Sequence, residues 1–434
     1  MDNLIEKLYE HFCTIASSTI TTDSRNCPKN SIFFALKGES FDGNLYAEKA
    51  IENGCSLAII DNKSCQKDER YWLVDNVLQT LQDLASYHRI AMGIPVIGIT
   101  GTNGKTTTKE LLAAVLSKKY NVLYTQGNLN NHIGVPLTLL NIRNEHQLAI
   151  IEMGANHPGE IKTLVHIAAP NAGLITNVGK AHLEGFGDFN GVINTKSELY
   201  DFLRETGGEV FLNLDNEILT EKAFGIERYG YGLNDKNGIV NGEIVDNSPY
   251  LSLSFSKLGE TKTYIAQSNL IGKYNAENIM AAVCVGIVMG VEPQAICDAI
   301  SNYMPQNNRS QFTKTEKNDL IIDAYNANPT SMKASIENFA SLNLPAKMLI
   351  LGDMRELGAD SETEHQKIID LLNEKDLLNV FLVGECFAKT QHSFASFSNV
   401  EELSKYIKKR PISGQTILIK GSNGIKLNSI IPLL

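Results

Sequence analysis

A lysine and two hydroxyl side chains follow a glycine-rich turn near residue 100, and this arrangement is typical of phosphate binding. Residues 101–108 read Gly-Thr-Asn-Gly-Lys-Thr-Thr-Thr and follow the apolar run 94–99, which predicts a buried strand. Backbone N–H groups of such a turn bind phosphate oxygens, and the N-terminus of the following helix adds its positive end. We expect Lys105 to contact the β- and γ-phosphates and the Thr106 hydroxyl to bind Mg²⁺.

The spacing of this loop differs from the generic Walker pattern, because Ile99 stands where that pattern has its first glycine. A glycine-rich turn without a ligand is the alternative, and the position of Gly-Lys-Thr between a predicted strand and helix disfavours it. We therefore predict a compact phosphate-binding loop whose nucleotide-binding residues are Gly101, Thr102, Asn103, Gly104, Lys105, Thr106 and Thr107.

Three other side chains, later in the chain than this loop, could contribute to catalysis. Glu152 ends the apolar run 148–151, and a carboxylate at the end of a parallel strand faces the crevice where nucleotides bind. His182 follows another predicted strand end; a single histidine is more often a packing or surface residue, and its functional interpretation needs a second metal held with Glu152. For Lys196, on a predicted helix, the spacing alone indicates a solvated helix lysine.

Further candidates lie in the second half of the chain. Asn275 and Asn278 open a predicted helix, where asparagine is usually a cap, although its amide also matches an adenine edge. Asp323 ends a predicted strand and could accept hydrogen bonds from ribose hydroxyls. Arg309 is either a solvated linker residue or a cation for a phosphate.

Composition favours a multidomain cytoplasmic enzyme. The 434 residues suggest two to four domains at about 150 residues each. The net charge of −10 without a dense basic stripe argues against a nucleic-acid partner. We expect no signal peptide, and the longest apolar stretch, 279–289, is too short for a membrane span. The seven cysteines form no Cys-x-x-Cys pair, so neither zinc nor disulfides are expected.

Hydrophobic periodicity predicts an α/β protein of three domains. Residues 1–90 form a small α/β domain, and strands that alternate with helices in residues 91–306 indicate a parallel sheet. A β-rich insertion is expected at 228–268. After the polar segment 305–308, residues 307–434 predict a Rossmann-like doubly wound domain with four strands, whose ends crowd one rim.

These motifs together resemble the Mur ligase family over essentially the whole chain. Residues 100–107 match the family form of the phosphate loop, which explains its spacing, and residues 152–156 and 177–182 match its metal-binding strand ends. Further similar segments are 22–25 and 34–38 for a nucleotide-sugar, 127–136 for a substrate, and 323–329 and 352–358, which are the most subtype-specific.

The resemblance implies an ATP-dependent amide ligase, which adds D-alanyl-D-alanine to UDP-N-acetylmuramoyl-tripeptide through an acyl phosphate to make a peptidoglycan precursor. It implies a nucleotide-sugar domain at the N-terminus, a P-loop ATPase-like central domain, and two Mg²⁺ ions. Asn275 and Asn278 would flank the adenine, Asp323 the ribose, and Arg309 the terminal phosphate. The implied catalytic residues are Lys105, Glu152, His182 and a carbamylated Lys196, of which the last three would bind metal with Thr106.

The same resemblance implies small-molecule substrates, no nucleic-acid or membrane partner, and a monomer. One departure occurs late in the chain, where the family motif Lys-Gly-Ser-Arg reads Lys-Gly-Ser-Asn at 420–423. The implied substrate-binding residues are Ser24, Arg25, Lys37, Gly38, Asn128, Asn130, Asn131, Tyr325, Asn326, Asn328, Lys420 and Ser422.

Other functions remain open from the residues alone. A different amide ligase of the same architecture, such as a folylpolyglutamate-type enzyme or the ligase that adds the third stem residue, is disfavoured by segments 325–329 and 352–354. A P-loop switch usually carries a guanine-binding Asn-Lys-x-Asp after a suitable strand, and none is placed here. A non-catalytic binding module would not need Lys105, Thr106 and Glu152 together.

Overall fold

The computed structural model describes residues 2–14, 19–305 and 309–434, so most of the predicted polar boundary at 305–308 lies outside the described residues. Three parallel or mixed sheets of four, nine and six strands follow one another along the chain, together with a two-stranded hairpin. In the described ranges, every helix is too short or too polar to span a bilayer.

The N-terminal domain is built on the four-stranded parallel sheet β1-β2-β5-β6. Its last helix, α3, begins after the cap Asn76 and ends at Gly93, which has a φ of 63°. Leu81 and Leu84 of α3 belong to the same buried cluster as Leu139 and Leu164, so this helix joins the first domain to the second. The elements are α1 (Asp2–Thr14), β1 (Ile20–Thr21), β2 (Ile32–Phe34), β3 (Lys37–Gly38), β4 (Phe41–Asp42), α2 (Ala47–Glu52), β5 (Leu57–Ile60), β6 (Tyr71–Leu73) and α3 (Val77–Met92).

The central domain has a nine-stranded sheet, in which the expected parallel strands are extended by antiparallel ones. Its elements are β7 (Val96–Thr100), α4 (Lys105–Leu116), β8 (Val122–Tyr124), α5 (Gly134–Leu139), β9 (Leu148–Glu152), α6 (Glu160–Ala168), β10 (Ala172–Ile175), α7 (Leu183–Phe186), α8 (Phe189–Thr206), β11 (Glu209–Asn213), α9 (Glu217–Lys222), β12 (Glu227–Gly232), β13 (Val240–Asn247), β14 (Tyr250–Lys257), β15 (Thr263–Ile271), α10 (Ala276–Val288) and α11 (Pro293–Asn302).

The strand order is β15-β14-β13-β12-β11-β10-β7-β9-β8. Strands β7, β9 and β10 are parallel neighbours, so their carboxyl ends meet at one edge. That edge carries the glycine-rich loop, Glu152 and the segment that leads to His182. The expected β-rich insertion is therefore part of the main sheet, because β12 to β15 continue it in order.

The C-terminal domain is doubly wound as expected, but it has six strands instead of four, in the order β16-β17-β21-β18-β19-β20. The two strands missed are short edge strands, and the second, Ala-Ser-Phe, shows no apolar run that could reveal it. The register pairs Asp323 with Lys420 at adjacent strand ends. The elements are β16 (Gln311–Lys314), β17 (Asp319–Asp323), α12 (Pro329–Ser341), β18 (Lys347–Gly352), α13 (Ser361–Glu374), β19 (Val380–Val383), β20 (Ala395–Phe397), α14 (Val400–Lys409) and β21 (Thr416–Lys420).

Polar contacts hold the C-terminal domain against the central one. The Lys180 amine donates to Glu364 Oε1 at 3.0 Å, and the Lys180 backbone N–H donates to Thr330 Oγ1 at 3.1 Å. The amide of Asn328 donates to Asn103 Oδ1 of the glycine-rich loop at 2.8 Å. The Glu364 carboxylate is buried and the Lys180 side chain is 45% exposed, so the pair lies at the rim of the interface. Closure of the two domains therefore depends on several weak contacts.

We expect Lys180→Glu to separate the two domains, because it places two carboxylates at the distance of the present ion pair. Single pairs that are this exposed contribute about 0–1 kcal/mol, so Lys180→Ala should change little, whereas like charges oppose closure. Small-angle scattering measures the radius of gyration of the parent and of both variants, with Lys180→Arg as the matched control. An identical scattering curve for Lys180→Glu would contradict the role assigned to this contact.

Candidate active site

The turn between β7 and α4 approaches its neighbours so closely that two of its residues must be glycine. Gly101 has a φ of 139°, and a Cβ there would collide with Thr176 Oγ1. Gly104, at the start of α4, has a φ of 82°, and a Cβ there would collide with Asn278 Oδ1. These are the positions where only glycine avoids both backbone strain and a clash. The predicted strand-loop-helix junction is confirmed.

Lys105 is folded over this loop. Its amine donates to the carbonyl oxygens of Gly101 at 2.6 Å and Thr102 at 3.1 Å. Burial lowers the pKa of Lys105 to about 8, although the nearby Glu152 charge opposes that shift. A desolvated cation beside the N-terminus of α4 is suited to an anionic phosphate, so the cradle fits the nucleotide expected here.

Glu152 is a buried carboxylate on the wall of the same cavity, with 2% of its surface exposed. Its Oε1 accepts hydrogen bonds from Asn130 Nδ2 at 2.8 Å and Thr106 Oγ1 at 3.4 Å. Oε2 lies 3.7 Å from the amine of Lys109. Carboxylate and hydroxyl oxygens are the hard ligands that Mg²⁺ prefers, so this donor set fits the metal.

His182 follows the edge of the central sheet that carries Glu152, and it contacts the C-terminal domain. It adopts a left-handed backbone conformation with a φ of 51°, and its Nδ1 contacts the Glu356 carboxylate of the C-terminal domain. Burial lowers the pKa of His182, which favours the neutral ring that can bind a metal. Because Glu356 comes from the other domain, the position of this imidazole depends on closure.

Lys196 is not a solvated helix lysine, so the interpretation from spacing alone was wrong. Its side chain is 2% exposed, its amine donates to Ala155 O at 3.1 Å, and the Phe186 ring centroid lies 5.3 Å away. Burial, reinforced by the charge of Lys105, lowers the pKa of Lys196 well below its usual value. The residue lies behind Ala155, which lines the cavity. One face of α8 packs inward here, and the sequence spacing of a single lysine does not reveal that.

Asn275 and Asn278 lie side by side near the loop. Asn278 Nδ2 donates to Asn275 Oδ1 at 2.8 Å, and Thr108 Oγ1 donates to Asn278 Oδ1 at 3.0 Å. Asn275 occupies the cap position of α10, but its side chain makes no capping hydrogen bond. Both side chains are buried at the cavity wall. The contact with Thr108 connects α10 to α4, the helix that follows the glycine-rich loop.

The strand ends of the C-terminal domain meet at Asp323 as expected. Asp323 Oδ2 accepts hydrogen bonds from Lys420 Nζ at 2.5 Å and Ser335 Oγ at 2.9 Å, and the Ser310 N–H lies 3.3 Å from Oδ1. Burial raises the pKa of Asp323, but the charge and hydrogen bond of Lys420 and the hydrogen bonds from Ser335 and Ser310 together lower it below its usual value. The Lys420 amine is thus engaged by a carboxylate in this arrangement, and Ser422 bonds to Ala327 and Arg355 of its own domain.

Arg309 stacks on an aromatic ring and lines the same cavity as Lys105. Its guanidinium carbon lies 3.7 Å from the centroid of the Tyr325 ring. Its Nε is buried and, among the described residues, has no hydrogen-bond partner. An unpaired guanidinium donor that lines a cavity fits an anionic ligand.

A single cavity of about 1000 Å³ brings these side chains together between the central and C-terminal domains. Gly101, Asn128, Lys196 and Ser422 lie outside its lining, whereas the following predicted residues line it: Thr102, Asn103, Gly104, Lys105, Thr106, Thr107, Asn130, Asn131, Glu152, His182, Asn275, Asn278, Arg309, Asp323, Tyr325, Asn326, Asn328 and Lys420.

The predicted nucleotide-sugar residues lie in the N-terminal domain, away from this cavity. Arg25 forms an exposed ion pair with Asp23, with 2.8 Å between Nη2 and Oδ2. The Lys37 amine lies 2.8 Å from Asp61 Oδ1, and a Cβ at Gly38 would collide with the ring of Phe41. Ser24 accepts a hydrogen bond from the Asn53 amide. Their roles stay predictions.

Sequence reasoning missed polar residues that support the site. Lys109 is 1% exposed beside Glu152, and Glu356 contacts His182. Ser335 and Ser310 hold Asp323. A lysine on the inward-facing side of a predicted apolar helix was a usable signal for Lys109, whereas the other contacts join distant segments and left no local pattern.

Comparison with known families covers most of the chain in three parts. The model described as Mur ligase middle domain matches residues 99–286, the Mur ligase, glutamate ligase domain matches 308–423, and the Mur ligase family, catalytic domain matches 17–96. A curated Bacillus subtilis protein is 34% identical over 425 residues, which cover 95% of this chain and 92% of the relative. The chain belongs to the Mur ligase family.

Curated relatives of this chain carry the name UDP-N-acetylmuramoyl-tripeptide–D-alanyl-D-alanine ligase. One is the Bacillus subtilis protein, and another, from Escherichia coli, is 32% identical and covers 97% of this chain and 94% of its own length.

Solved Mur ligase structures share the fold. A crystal structure of MurF from Acinetobacter baumannii has a TM-score of 0.85 and 30% identity, and it covers 96% of this chain and 93% of its own. The MurF ligase of Thermotoga maritima in complex with ADP has a TM-score of 0.84 and 26% identity, with 95% and 96% covered. The predicted α/β fold with its three-domain Mur ligase organisation is confirmed.

We expect Gly104→Ala to disturb the glycine-rich loop more than Gly159→Ala, at a matched glycine, disturbs its own surroundings. Gly159 starts α6 with nearly the same φ of 83°, and no atom lies within 4 Å of a Cβ placed there. Gly159→Ala should therefore cost only the left-handed strain of about 1–2 kcal/mol. Gly104→Ala adds the clash with Asn278, so nucleotide affinity should fall by about tenfold, or ~1.4 kcal/mol.

Urea unfolding and calorimetric titration with ADP measure the two effects separately for both variants. Equal losses of stability together with an unchanged ADP affinity in Gly104→Ala would contradict this account of the loop.

Proposed function

We propose that this protein is an ATP-dependent ligase that joins D-alanyl-D-alanine to UDP-N-acetylmuramoyl-tripeptide and so forms the pentapeptide precursor of peptidoglycan. The relatives that share its full length support the reaction. The observation that carries the proposal is the single cavity in which Lys105 and Glu152 of the central domain face Arg309 of the C-terminal domain. We place this activity in the cytoplasm, in a monomeric enzyme.

The chemistry of amide formation explains why such a cavity is useful. A carboxylate is a poor acylating agent, so one of its oxygens first attacks the γ-phosphorus of ATP, and ADP leaves. The amine of the dipeptide then attacks the acyl carbon, and inorganic phosphate leaves with the carboxylate oxygen. Lys105 and Arg309 stabilise the charge on the transferring phosphoryl group, and closure excludes water from the acyl phosphate.

Two magnesium sites are part of the proposal. Thr106 and Glu152 would hold one ion, and Glu152, His182 and Lys196 would hold the other. When bound, the metal ions neutralise phosphate charge and orient the reacting oxygens. The buried carboxylate, the adjacent hydroxyl and the imidazole of lowered pKa support this assignment, because carboxylate and hydroxyl oxygens and a neutral imidazole nitrogen are all metal-binding atoms.

Lys196 would contribute as a carbamate. A lysine whose pKa is well below the usual value loses its proton more readily than an exposed lysine, and the neutral nitrogen can attack CO₂ and release a proton. The product carries a carboxylate in place of a cation, which also removes the repulsion from Lys105. The Ala155 carbonyl that now accepts from the amine lines the cavity, so the new group would extend towards the metal.

We assign the remaining residues by position. Asn275 and Asn278 would flank the adenine and Asp323 the ribose. Asn128, Asn130 and Asn131 would contact the muramoyl peptide, and Ser24, Arg25, Lys37 and Gly38 the uridine nucleotide. Tyr325, Asn326, Asn328, Lys420 and Ser422 would bind the dipeptide. The proposed domain limits are 1–90, 91–306 and 307–434.

Phosphate release in a coupled assay tests the proposed reaction. We expect it to require ATP, UDP-N-acetylmuramoyl-tripeptide and D-alanyl-D-alanine together, with a mass increase in the nucleotide product equal to the dipeptide minus water. Equal turnover with single D-alanine or a diamino acid would overturn the substrate assignment. ATP hydrolysis that needs neither substrate would favour a P-loop switch.

We expect Lys196→Ala to lower turnover by about a hundredfold, since ligands and their supports typically contribute 10–100-fold in metal-dependent activity. Added acetate or another short carboxylic acid should restore part of the turnover, because removal of the lysine side chain leaves space beside Ala155 for a free carboxylate. Lys162→Ala, which removes an exposed lysine from α6, is the control. Full activity of Lys196→Ala, with no effect of added acid, would contradict the role.

A further inference from the structure

Lys109 is a buried cation that the proposed mechanism does not use. It lies on α4 one turn after Lys105, and only 1% of its surface is exposed. It is not among the residues that line the cavity. Its amine lies 3.7 Å from Glu152 Oε2 and 3.9 Å from Glu110 Oε1, distances of ion pairs and not of hydrogen bonds.

The carboxylate of Glu152 is held differently at its two oxygens. Oε1 accepts from Asn130 and Thr106, which both line the cavity. Oε2 is buried and has no hydrogen-bond partner among the described residues. A buried carboxylate oxygen without a hydrogen-bond donor requires a compensating charge. Among the described residues, Lys109 forms the only ion pair with Glu152.

The other neighbour of Lys109 is itself fixed. Glu110 Oε2 accepts a hydrogen bond from the hydroxyl of Tyr303 at 2.7 Å. Tyr303 directly follows α11, where the chain leaves the central domain. The ring centroid of Tyr124 lies 5.9 Å from the Lys109 amine and fills a further side. The ammonium group is thus held between two anchored carboxylates, which limits its freedom to move away from Glu152.

We propose that Lys109 is a positioning residue for the ligase reaction. Its charge keeps Glu152 Oε2 turned inward, so that Oε1 faces the cavity beside Thr106 and is available to a divalent cation. This inference rests on the proposed function, in which Glu152 binds metal. It adds a residue that acts on the metal through its ligand, in the way that outer-shell partners orient metal-binding side chains.

Binding of Mn²⁺, measured by electron paramagnetic resonance in the presence of saturating ADP, tests the inference without catalysis. We expect Lys109→Met to weaken Mn²⁺ binding by about tenfold or more, the usual effect of removing such a partner. Affinity for ADP without metal should stay unchanged, whereas a merely structural defect would lower both. Lys109→Arg should restore most of the Mn²⁺ affinity, and Lys118→Met, which removes an exposed lysine just after α4, should have no effect.

Glu152→Gln separates the possible failures. If it weakens Mn²⁺ binding while Lys109→Met leaves that binding unchanged or makes it tighter, the positioning role is wrong and Lys109 is only an opposing charge. If Glu152→Gln itself has no effect, the metal assignment in the proposed function is wrong, and the inference falls with it.

A second pair of variants covers the case in which Lys109→Met does not fold. Glu110→Gln keeps an oxygen that accepts from Tyr303, and adding Lys109→Met to it removes the buried positive charge of Lys109 together with the partly exposed negative charge of Glu110. The double variant should bind Mn²⁺ about tenfold more weakly than Glu110→Gln alone. Equal affinities in these two proteins would overturn the proposal.

Discussion

Between β7 and α4 the backbone passes so close to Thr176 and Asn278 that Gly101 and Gly104 have no room for a side chain. That packing fixes the direction of α4, and with it the direction of the N–H groups at the start of the helix. It also folds Lys105 back over its own loop. The positions of the cation and of the helix end therefore follow from one steric constraint between three elements of the central domain, and the rest of the cavity is arranged around them.

Charge balance is the second organising feature of the cavity. Lys105 and Lys196 are both desolvated amines with lowered pKa values. The charge of Lys105 lowers the pKa of Lys196 further, and the charge of Arg309 lowers that of Lys105. The Glu152 carboxylate on the cavity wall raises the pKa of Lys105 in return. In the C-terminal domain, the ion pair with Lys420 balances the charge of Asp323. Arg309, whose Nε has no hydrogen-bond partner among the described residues, is then available to an anion. Binding to such a site is most favourable when a polyphosphate and divalent cations bind together. The polyphosphate then balances the positive charges of Lys105 and Arg309, and the cations balance the negative charge of Glu152.

The sequence predicted what depends on local pattern. Short sequence segments determine the glycine-rich loop, the buried strands and the strand-end position of Glu152, so these features were predictable. The burial of Lys196, the pairing of Asp323 with Lys420 and the contact between Lys180 and Glu364 join segments far apart in the chain, and no local pattern encodes them. For Lys196 the family resemblance implied a metal-binding role, which stays a prediction, whereas spacing alone indicated a solvated side chain.

The central claim is that a substrate carboxylate, and not water or a protein group, accepts the γ-phosphoryl group in this cavity. Tracing of oxygen-18 tests it most directly. UDP-N-acetylmuramoyl-tripeptide labelled in its terminal carboxylate is turned over with ATP and D-alanyl-D-alanine, and the released phosphate is analysed by mass spectrometry. The account predicts one labelled oxygen in each phosphate formed from fully labelled substrate. Unlabelled phosphate alongside complete formation of the pentapeptide would contradict it.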